Sequence, residues 1–178
     1  EGTQAYYPCD TLLLSVGLIP ENELSVKAGV TLDPVTNGPM VDSAMQTAIP
    51  GIFACGNVLH VHDIVDFVTR ESRTAGKHAG LYALGALSSS ASVPCKPGRG
   101  IRYVMPRKVL TQTPDGANLF MRVDAIYQNS TVLVKSGNTV LAKKRIARMI
   151  PSEMISIPLS AETLHPLTEP ITVEVTAQ

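Results

Sequence analysis

The sequence lacks tryptophan altogether and has only three phenylalanines among its 178 residues. Any hydrophobic core must therefore be built mainly from aliphatic side chains, for which a hydrophobic content of 44% is sufficient. No apolar run reaches the roughly 18 residues that a membrane-spanning helix needs. Lys+Arg and Asp+Glu are both 15, so the zero formal charge favours neither nucleic acid nor an anionic membrane as a partner.

Cysteines are also scarce. Cys9, Cys55 and Cys95 are too few and too widely spaced for a disulfide framework, and no Cys-x-x-Cys occurs. The first residues, 1–4, show no basic head, apolar centre or cleavage site of a signal peptide. The odd cysteine count and the missing signal predict a cytoplasmic location, where thiols stay reduced.

A third absence concerns phosphate binding. The sequence contains no Gly-x-Gly-x-x-Gly, the loop that holds a dinucleotide pyrophosphate at a helix N-terminus. The chain by itself is therefore not expected to hold a dinucleotide tightly.

The most informative stretch that is present runs from Asn37 to Asn57. Asn37-Gly38 predicts a tight turn, because both residues tolerate positive φ. Residues 40–42 then predict a short strand, and residues 50–56 predict a buried strand that ends at Gly56. The polar Asn57 follows the carboxyl end of that strand, which is where open α/β sheets bind ligands.

This stretch resembles the second FAD-binding motif of the pyridine nucleotide-disulfide oxidoreductases, the thioredoxin reductase-like flavoproteins with two dinucleotide folds. The matching residues, in order, are Thr47, Pro50, Gly51, Ile52, Phe53, Ala54, Cys55 and Gly56. Asn57 stands where the family has an Asp that accepts a hydrogen bond from a ribityl hydroxyl of FAD. An amide oxygen can also accept that bond, so the resemblance implies weaker but retained binding.

A second stretch resembles the same family. Residues 9–17 predict a buried strand that ends at Gly17, followed by residues 18–24 with Pro20 and Asn22. Taken alone, residues 9–24 indicate no more than an apolar strand followed by a turn. Beside the first motif it resembles the strand that leads from the NAD(P) domain back into the FAD domain. Residues 29–33 and 39–42 resemble the family's small hairpin insertion.

A helix is predicted from Asp63 to about Leu87, with Asp63 as the N-cap. One stripe of the 3.6-residue period is formed by Ile64, Val65, Val68, Ala75, Ala79, Tyr82 and Ala86. The resemblance implies that the N-terminus of this helix points at the flavin, where its free N–H groups favour negative charge. Asp63, Ile64 and Val65 are the residues expected there.

Residues 85–92 predict a flexible linker, and the serine run Ser88-Ser89-Ser90 lies within it. Beyond it, six short strands are predicted at residues 101–104, 119–123, 131–135, 139–143, 154–157 and 171–175. Such spacing favours a small antiparallel β-sandwich. It resembles the immunoglobulin-like tail of one branch of these flavoproteins.

The predicted fold is therefore α+β. Residues 1–90 form part of an FAD-binding α/β domain of the three-layer ββα type, and residues 91–178 form the sandwich. Both glycine-rich loops lie upstream in the family, so we expect a C-terminal fragment that lacks the N-terminal domains. An incomplete sheet leaves an open edge, which predicts self-association or a partner subunit.

Several residues admit two interpretations. Cys55, His60 and His62 are close in sequence, but their spacing favours a core cysteine and loop histidines over a metal site, so no metal is expected. Either histidine could contact flavin and transfer a proton. Two basic groups favour solvated surface, or a sheet edge, over a phosphate or docking site: Lys143, Lys144, Arg145 and Arg148, and Lys96, Arg99, Arg102, Arg107 and Lys108.

The resemblance implies a fragment of an FAD-dependent oxidoreductase with NAD(P)H as co-substrate. Its cofactor-binding residues would be Gly17, Gly56, Asn57, Asp63, Ile64 and Val65, and the sequence identifies no catalytic residue. The fragment would supply the ribityl- and flavin-facing part of the site and would not be active alone. The alternative is a non-enzymatic sandwich module for docking or oligomerisation on a degenerate flavin fold, which the Asn57 substitution favours.

Overall fold

A computed structural model describes residues 2–14, 17–87 and 91–176. Its helices are α1 (Glu23–Lys27), α2 (Val65–Ala83) and α3 (Ala161–Leu164), with a 3-10 turn at Gly56–Val58. Among these described helices, none combines the length and the apolar character needed to cross a membrane.

Among the described residues, eight strands follow α2. They are β1 (Ser92–Pro97), β2 (Ile101–Met105), β3 (Lys108–Leu110), β4 (Ala117–Val123), β5 (Tyr127–Ser136), β6 (Thr139–Met149), β7 (Ile155–Leu159) and β8 (Ile171–Thr176). One sheet has the order β3-β1-β8-β5-β6 and the other β2-β4-β7. The six predicted strands are confirmed. The pairing of β1 with β8 is parallel, however, so the strands are not all antiparallel as predicted.

Alternation along the strands creates the main core. In β8, for example, Ile171, Val173 and Val175 are buried while the residues between them are half-exposed, because successive side chains of a strand point to opposite faces. Both sheets contribute to one hydrophobic cluster, with Val93 and Val132 from the first and Leu119 and Ile157 from the second. The immunoglobulin-like character of this part stays a prediction.

The sequence interpretation missed β1 and β3. Proline is rare inside strands because it lacks an N–H, and β1 contains Pro94 and Pro97. Pro94 is tolerated since β1 pairs with β8 only from Cys95 onward. The strand β6 lies at the edge of its sheet and carries the basic run 143–148 on largely exposed positions, so the prediction of a charged sheet edge is confirmed.

The predicted buried strand at residues 9–17 is wrong over its described part. Residues 9–14 form no strand, and the side chains of Leu12, Leu13 and Leu14 are 73%, 90% and 70% exposed. Ser15 and Val16 lie outside the described residues. A strand needs a neighbouring strand for its backbone hydrogen bonds, and no strand of the described residues pairs with residues 9–14.

The predicted strands at residues 40–42 and 50–56 are also wrong as members of a sheet. This region contains only isolated bridges, which join Leu32 to Pro39, Val41 to Thr47, Asp42 to Lys108 of β3 and Gln46 to Phe53. Asn37 does have a φ of 55°, as the predicted turn requires.

A second hydrophobic cluster joins the two predicted domains. Val41, Leu59 and Ala75 come from before residue 90, and Tyr103 and Phe120 come from after it. The boundary at residue 90 stays a prediction. Residues 85–87 and 91 of the predicted linker form no helix or strand, β1 begins at its last residue, Ser92, and Ser88-Ser89-Ser90 lie outside the described residues.

Gly38 illustrates how tightly the turn packs on this cluster. A Cβ at this position would lie 1.8 Å from the backbone oxygen of Leu59, whose side chain is fully buried. We expect Gly38→Ala to lower the free energy of unfolding by about 3 kcal/mol, because the contact is with rigid backbone. Urea unfolding measures the change.

Gly76→Ala is the matched control for Gly38→Ala. Nothing lies within 4 Å of a Cβ at Gly76, which is in the middle of α2. Alanine is the better helix former by about 0.8–1 kcal/mol, so this variant is expected to be more stable than the parent. Equal effects of the two substitutions would contradict the packing at Gly38.

Asp33 and Arg107 form an ion pair between the 31–39 turn region and the segment before β3. The carboxylate is fully buried, accepts hydrogen bonds from the N–H groups of Val35 and Thr36, and accepts another from Nε of Arg107. Arg107 was predicted to lie on a solvated surface, and this is wrong, since its side chain is only 15% exposed. Burial disfavours the charged carboxylate, but these hydrogen bonds outweigh burial, and the pKa of Asp33 lies below its usual 3.8.

The ion pair predicts a defined pH dependence of stability. Because the folded pKa of Asp33 is below the unfolded one, its contribution is complete above about pH 4 and is lost as pH falls through the folded pKa. Asp33→Asn should cost about 2 kcal/mol at neutral pH, and its gap from the parent should close in acid. Urea titrations at several pH values test this. The exposed Asp10→Asn is the control, and a gap that stays constant down to pH 3 would refute the prediction.

Candidate functional site

The turn after residue 55 is formed by Gly56 and Asn57. Gly56 has a φ of 71°, a conformation that side chains other than glycine rarely adopt, and its N–H donates a hydrogen bond of 2.7 Å to Oε2 of Glu71. Asn57 is exposed, and its Oδ1 accepts a hydrogen bond from the N–H of His62 at 3.1 Å. The turn therefore presents one amide side chain to solvent beside a fixed backbone.

The N-terminus of α2 lies close to this turn in sequence. Ile64 is the N-cap residue and makes no side-chain cap, so the prediction of Asp63 as N-cap is wrong by one residue. Ile64 and Val65 are 48% and 73% exposed. They leave the first turn of the helix, with its free N–H groups, open to a ligand.

The side chain of Asp63 does not cap α2 and is bound by residues of the β-rich part. Its Oδ1 lies 2.5 Å from Nη2 of Arg122, and its Oδ2 accepts the N–H of Met154. Arg122 also donates to the carbonyl of Val61 at 2.9 Å. Strands β4 and β7 and their flanks thus hold the 61–63 segment in place.

Gly17 has a φ of 123° and open surroundings, with nothing within 4 Å of a Cβ placed there. Its conformation suits a glycine, and no described side chain crowds it.

The buried face of α2 is polar, which the periodicity did not predict. Glu71, Ala75 and His78 are its buried residues. Of the predicted apolar stripe only Ala75 is buried, whereas Ile64 and Val65 are exposed. Helix faces repeat at intervals of three and four residues, so Glu71, Ala75 and His78 do share one side.

Glu71 meets two histidines in the interior. Its Oε1 lies 2.7 Å from Nε2 of His60, and its Oε2 lies 2.9 Å from Nε2 of His62. The side chains are 0–1% exposed. The His60–Glu71 contact is a hydrogen bond, whereas Nε2 of His62 is close to the carboxylate without hydrogen-bond geometry. Neither Nδ1 atom has a hydrogen-bond partner among the described residues.

Electrostatics fix the charge of this His60–His62–Glu71 cluster. Burial disfavours a charged carboxylate, but the interactions with His60 and His62 outweigh it and lower the pKa of Glu71 to about 2. Burial also lowers the pKa of His60 below its usual 6.5, despite the attraction of Glu71. At neutral pH the cluster therefore contains a carboxylate that accepts the Nε2–H of a neutral His60.

Aromatic rings surround the cluster. Phe120 of β4 lies 5.9 Å from His60 and 5.5 Å from His62 between ring centroids, and Phe67 lies 6.1 Å from His62. Tyr103 of β2 packs on His60 at 5.8 Å, and burial raises its pKa. These contacts exclude solvent and keep both imidazoles in fixed orientations.

Sequence reasoning considered Cys55 with the two histidines and did not consider Glu71. The structure leaves Cys55 half-buried, with its Sγ 3.7 Å from Oγ of Ser72. Glu71 gave no sequence signal, because hydrophobic periodicity assigns the buried side of a helix to apolar residues. Phe120 gave none either, because it comes from a strand about 60 residues away along the chain.

Comparisons with known proteins identify a class for the first part of the chain. Residues 1–80 match the sequence model of the family described as pyridine nucleotide-disulphide oxidoreductase. The match covers less than half of the chain, and members of that family are typically FAD-dependent.

A curated relative points in the same direction. The chain is similar to the "Probable ferredoxin reductase CtmF" of Castellaniella defragrans, with 44% identity over 57 residues. Those residues are 32% of this chain and 13% of the relative, so the chain spans only a small part of that protein's length. No solved structure matches the chain.

Proposed function

We propose that this chain is part of an FAD-dependent, NAD(P)H-linked oxidoreductase and supplies the ribityl- and flavin-facing part of the FAD site. The match of residues 1–80 to the oxidoreductase family carries the proposal. In the intact protein, a hydride would pass from nicotinamide to flavin, and this chain's residues would bind and orient the cofactor.

The geometry around Gly56 supports this role. The positive φ of Gly56 turns the backbone sharply, and Asn57 beside it is exposed. Its Oδ1 accepts one bond from His62 and has a second lone pair for a ribityl hydroxyl. The exposed start of α2 at Ile64 and Val65 offers N–H groups and the positive end of the helix dipole to the flavin ring.

Asp63 plays a different part in this proposal from the one its sequence position implies. Both of its carboxylate oxygens are engaged, by Arg122 and by the N–H of Met154. We therefore assign it the positioning of the 61–63 segment, and we assign the flavin contact to Ile64 and Val65.

The uncovered apolar segment also fits a part of a larger flavin domain. Leu12, Leu13, Leu14, Leu18 and Ile19 are all at least 65% exposed. A run of large apolar side chains in water is unfavourable and marks a surface that another segment or chain covers. The remainder of the two-dinucleotide fold is the covering segment that this proposal names.

The alternative is a non-enzymatic docking or oligomerisation module. Asn57 favours it, because an amide is a weaker acceptor than the family's carboxylate. The engagement of Asp63 by the β-sheet part favours it as well.

FAD binding to the intact protein that contains this segment tests the proposal. A protein purified without added flavin should show flavin absorbance that NADH or NADPH bleaches. Removing the Asn57 acceptor by Asn57→Leu should weaken FAD binding about fivefold, since one hydrogen bond is worth about 1 kcal/mol. Asn57→Asp should tighten it.

Asn138→Asp in the β5–β6 turn is the control for the charge change, and it should leave FAD affinity unaltered. A protein that stays colourless after titration with FAD would reject the oxidoreductase proposal and support the docking module.

A further inference from the structure

Two separate segments bring their metal-binding side chains together inside the protein. The loop after the 3-10 turn contributes His60 and His62, and α2 contributes Glu71. One ligand atom from each of the three lies within 4.8 Å of the others. Cys55, which precedes the two histidines in the sequence, is not part of this group among the described residues.

The three donors suit a transition metal. Two imidazoles and one carboxylate are a common ligand set for Zn²⁺, with bonds of about 2.0–2.2 Å. Ligand atoms on a tetrahedral zinc ion stand about 3.3 Å apart at such bond lengths. The present distances of 2.7 and 2.9 Å from Glu71 to the two Nε2 atoms are slightly shorter. Small side-chain rotations of a few tenths of an ångström would open the group to that size.

The position of His62 is the second, independent sign of a ligand. The residue is 8% exposed, and its Nε2 points at the carboxylate without forming a hydrogen bond. A buried polar nitrogen without a partner costs about 1–3 kcal/mol. A metal ion bound by both residues would satisfy this nitrogen in place of its contact with the carboxylate at 2.9 Å.

We propose that His60, His62 and Glu71 bind one divalent transition-metal ion of the zinc type, which fastens the 59–62 loop to α2. Three protein ligands leave one position of the ion for a water molecule, and the full burial of the three side chains restricts access to it. The role is independent of flavin binding.

A route for the ion exists next to the carboxylate. Glu71 lines a cavity of about 260 Å³ together with Met45, Thr74 and Phe120. A cavity of this size holds several water molecules, so it can deliver the ion and the water that completes four-coordination. Asp115 and Arg70 also line this cavity, and both carboxylate oxygens of Asp115 accept hydrogen bonds from Nζ of Lys77.

Binding of Co²⁺ and Zn²⁺ to the full chain tests the proposal. After treatment with a chelator, the protein should bind one equivalent of Co²⁺ with the visible absorption of a four-coordinate ion. One equivalent of Zn²⁺ should displace it. Loss of an outer-shell partner already weakens metal sites about 10–100-fold, so His62→Gln and Glu71→Gln should each weaken binding at least about 100-fold.

His78→Gln is the matched control. His78 is a buried histidine on the same face of α2, but its Nδ1 bonds to the carbonyl of Thr74 and it is outside the His60–His62–Glu71 cluster. This variant and Cys55→Ser should keep the parent's affinity. Weakening by His78→Gln equal to that by His62→Gln would overturn the proposal.

X-ray absorption of the zinc-loaded parent identifies the ligands of the ion, and it tests the proposal even if a cluster variant fails to fold. Two imidazoles, with nitrogen and oxygen neighbours at about 2.0–2.1 Å, are expected. A sulfur neighbour at about 2.3 Å would assign the metal to a cysteine and overturn the proposal. Absence of any stoichiometric binding would do the same and leave the cluster as a hydrogen-bonded carboxylate.

Discussion

Replacing Phe120 with alanine is expected to lower the free energy of unfolding by about 4 kcal/mol, near the middle of the range for buried aromatic residues. Phe120 is 1% exposed in β4, and its ring packs against His60, His62 and Phe67 at 5.5–5.9 Å. The substitution would leave a cavity between the β-sheet part and α2. Urea unfolding measures the loss, and Phe120→Leu should recover part of it.

Leu119→Ala is the control that separates a disturbance of the two imidazoles from a general loss of stability. Leu119 is the adjacent residue of the same strand, is fully buried, and belongs to the main cluster between the sheets. It should cost about 2–5 kcal/mol as well, but it should not disturb the imidazoles. Only Phe120→Ala should therefore shift the NMR signals of the His60 and His62 rings. A cost of Phe120→Ala below 1 kcal/mol would contradict the packing described above.

Glu71→Ala is expected to have an effect of similar size, about 3–5 kcal/mol, which is typical when one partner of a buried charged network is removed. The N–H of Gly56 and Nε2 of His60 would lose their acceptor in the interior. Glu71→Gln should cost less, because its amide oxygen can replace one carboxylate oxygen. Unfolding should be measured with a chelator present, so that the result describes the protein without metal.

The control for Glu71→Ala is Glu153→Ala. Glu153 is exposed before β7, and a surface substitution of this kind changes stability by about 0.5 kcal/mol or less. If both alanine variants unfolded at the same urea concentration, the buried network would contribute nothing to stability.

Local patterns predicted the elements that depend on neighbours in sequence. The six predicted strands between residues 101 and 175 were recognisable from β-branched runs between turn residues, and α2 from its length and periodicity. Asn37 and Gly56 have the positive φ that turn residues allow. The strands predicted at residues 9–17 and 50–56 rested on apolar runs that end at a glycine, and over the described residues they failed because a strand also requires a paired neighbour.

In the candidate site too, the local features were predicted from the sequence and the long-range contacts were not. The exposed Asn57 and the start of α2 could be placed from sequence, because a glycine turn and a helix boundary are local features. Glu71 was missed, since periodicity arguments assign the buried side of a helix to apolar residues. The partners of Asp63 and Asp33 were missed too, since Arg122 and Arg107 lie 59 and 74 residues away.

The sequence by itself determined six of the eight strands that the structure describes, the Gly56–Asn57 turn and the resemblance of residues 1–80 to a flavoprotein family. Only the tertiary structure decided which strands are neighbours and which side chains meet in the interior. It placed the ring of Phe120 on two histidines and a carboxylate between them. Such contacts follow from the path of the whole chain, since the burial and pairing of a polar group depend on residues that no local pattern connects.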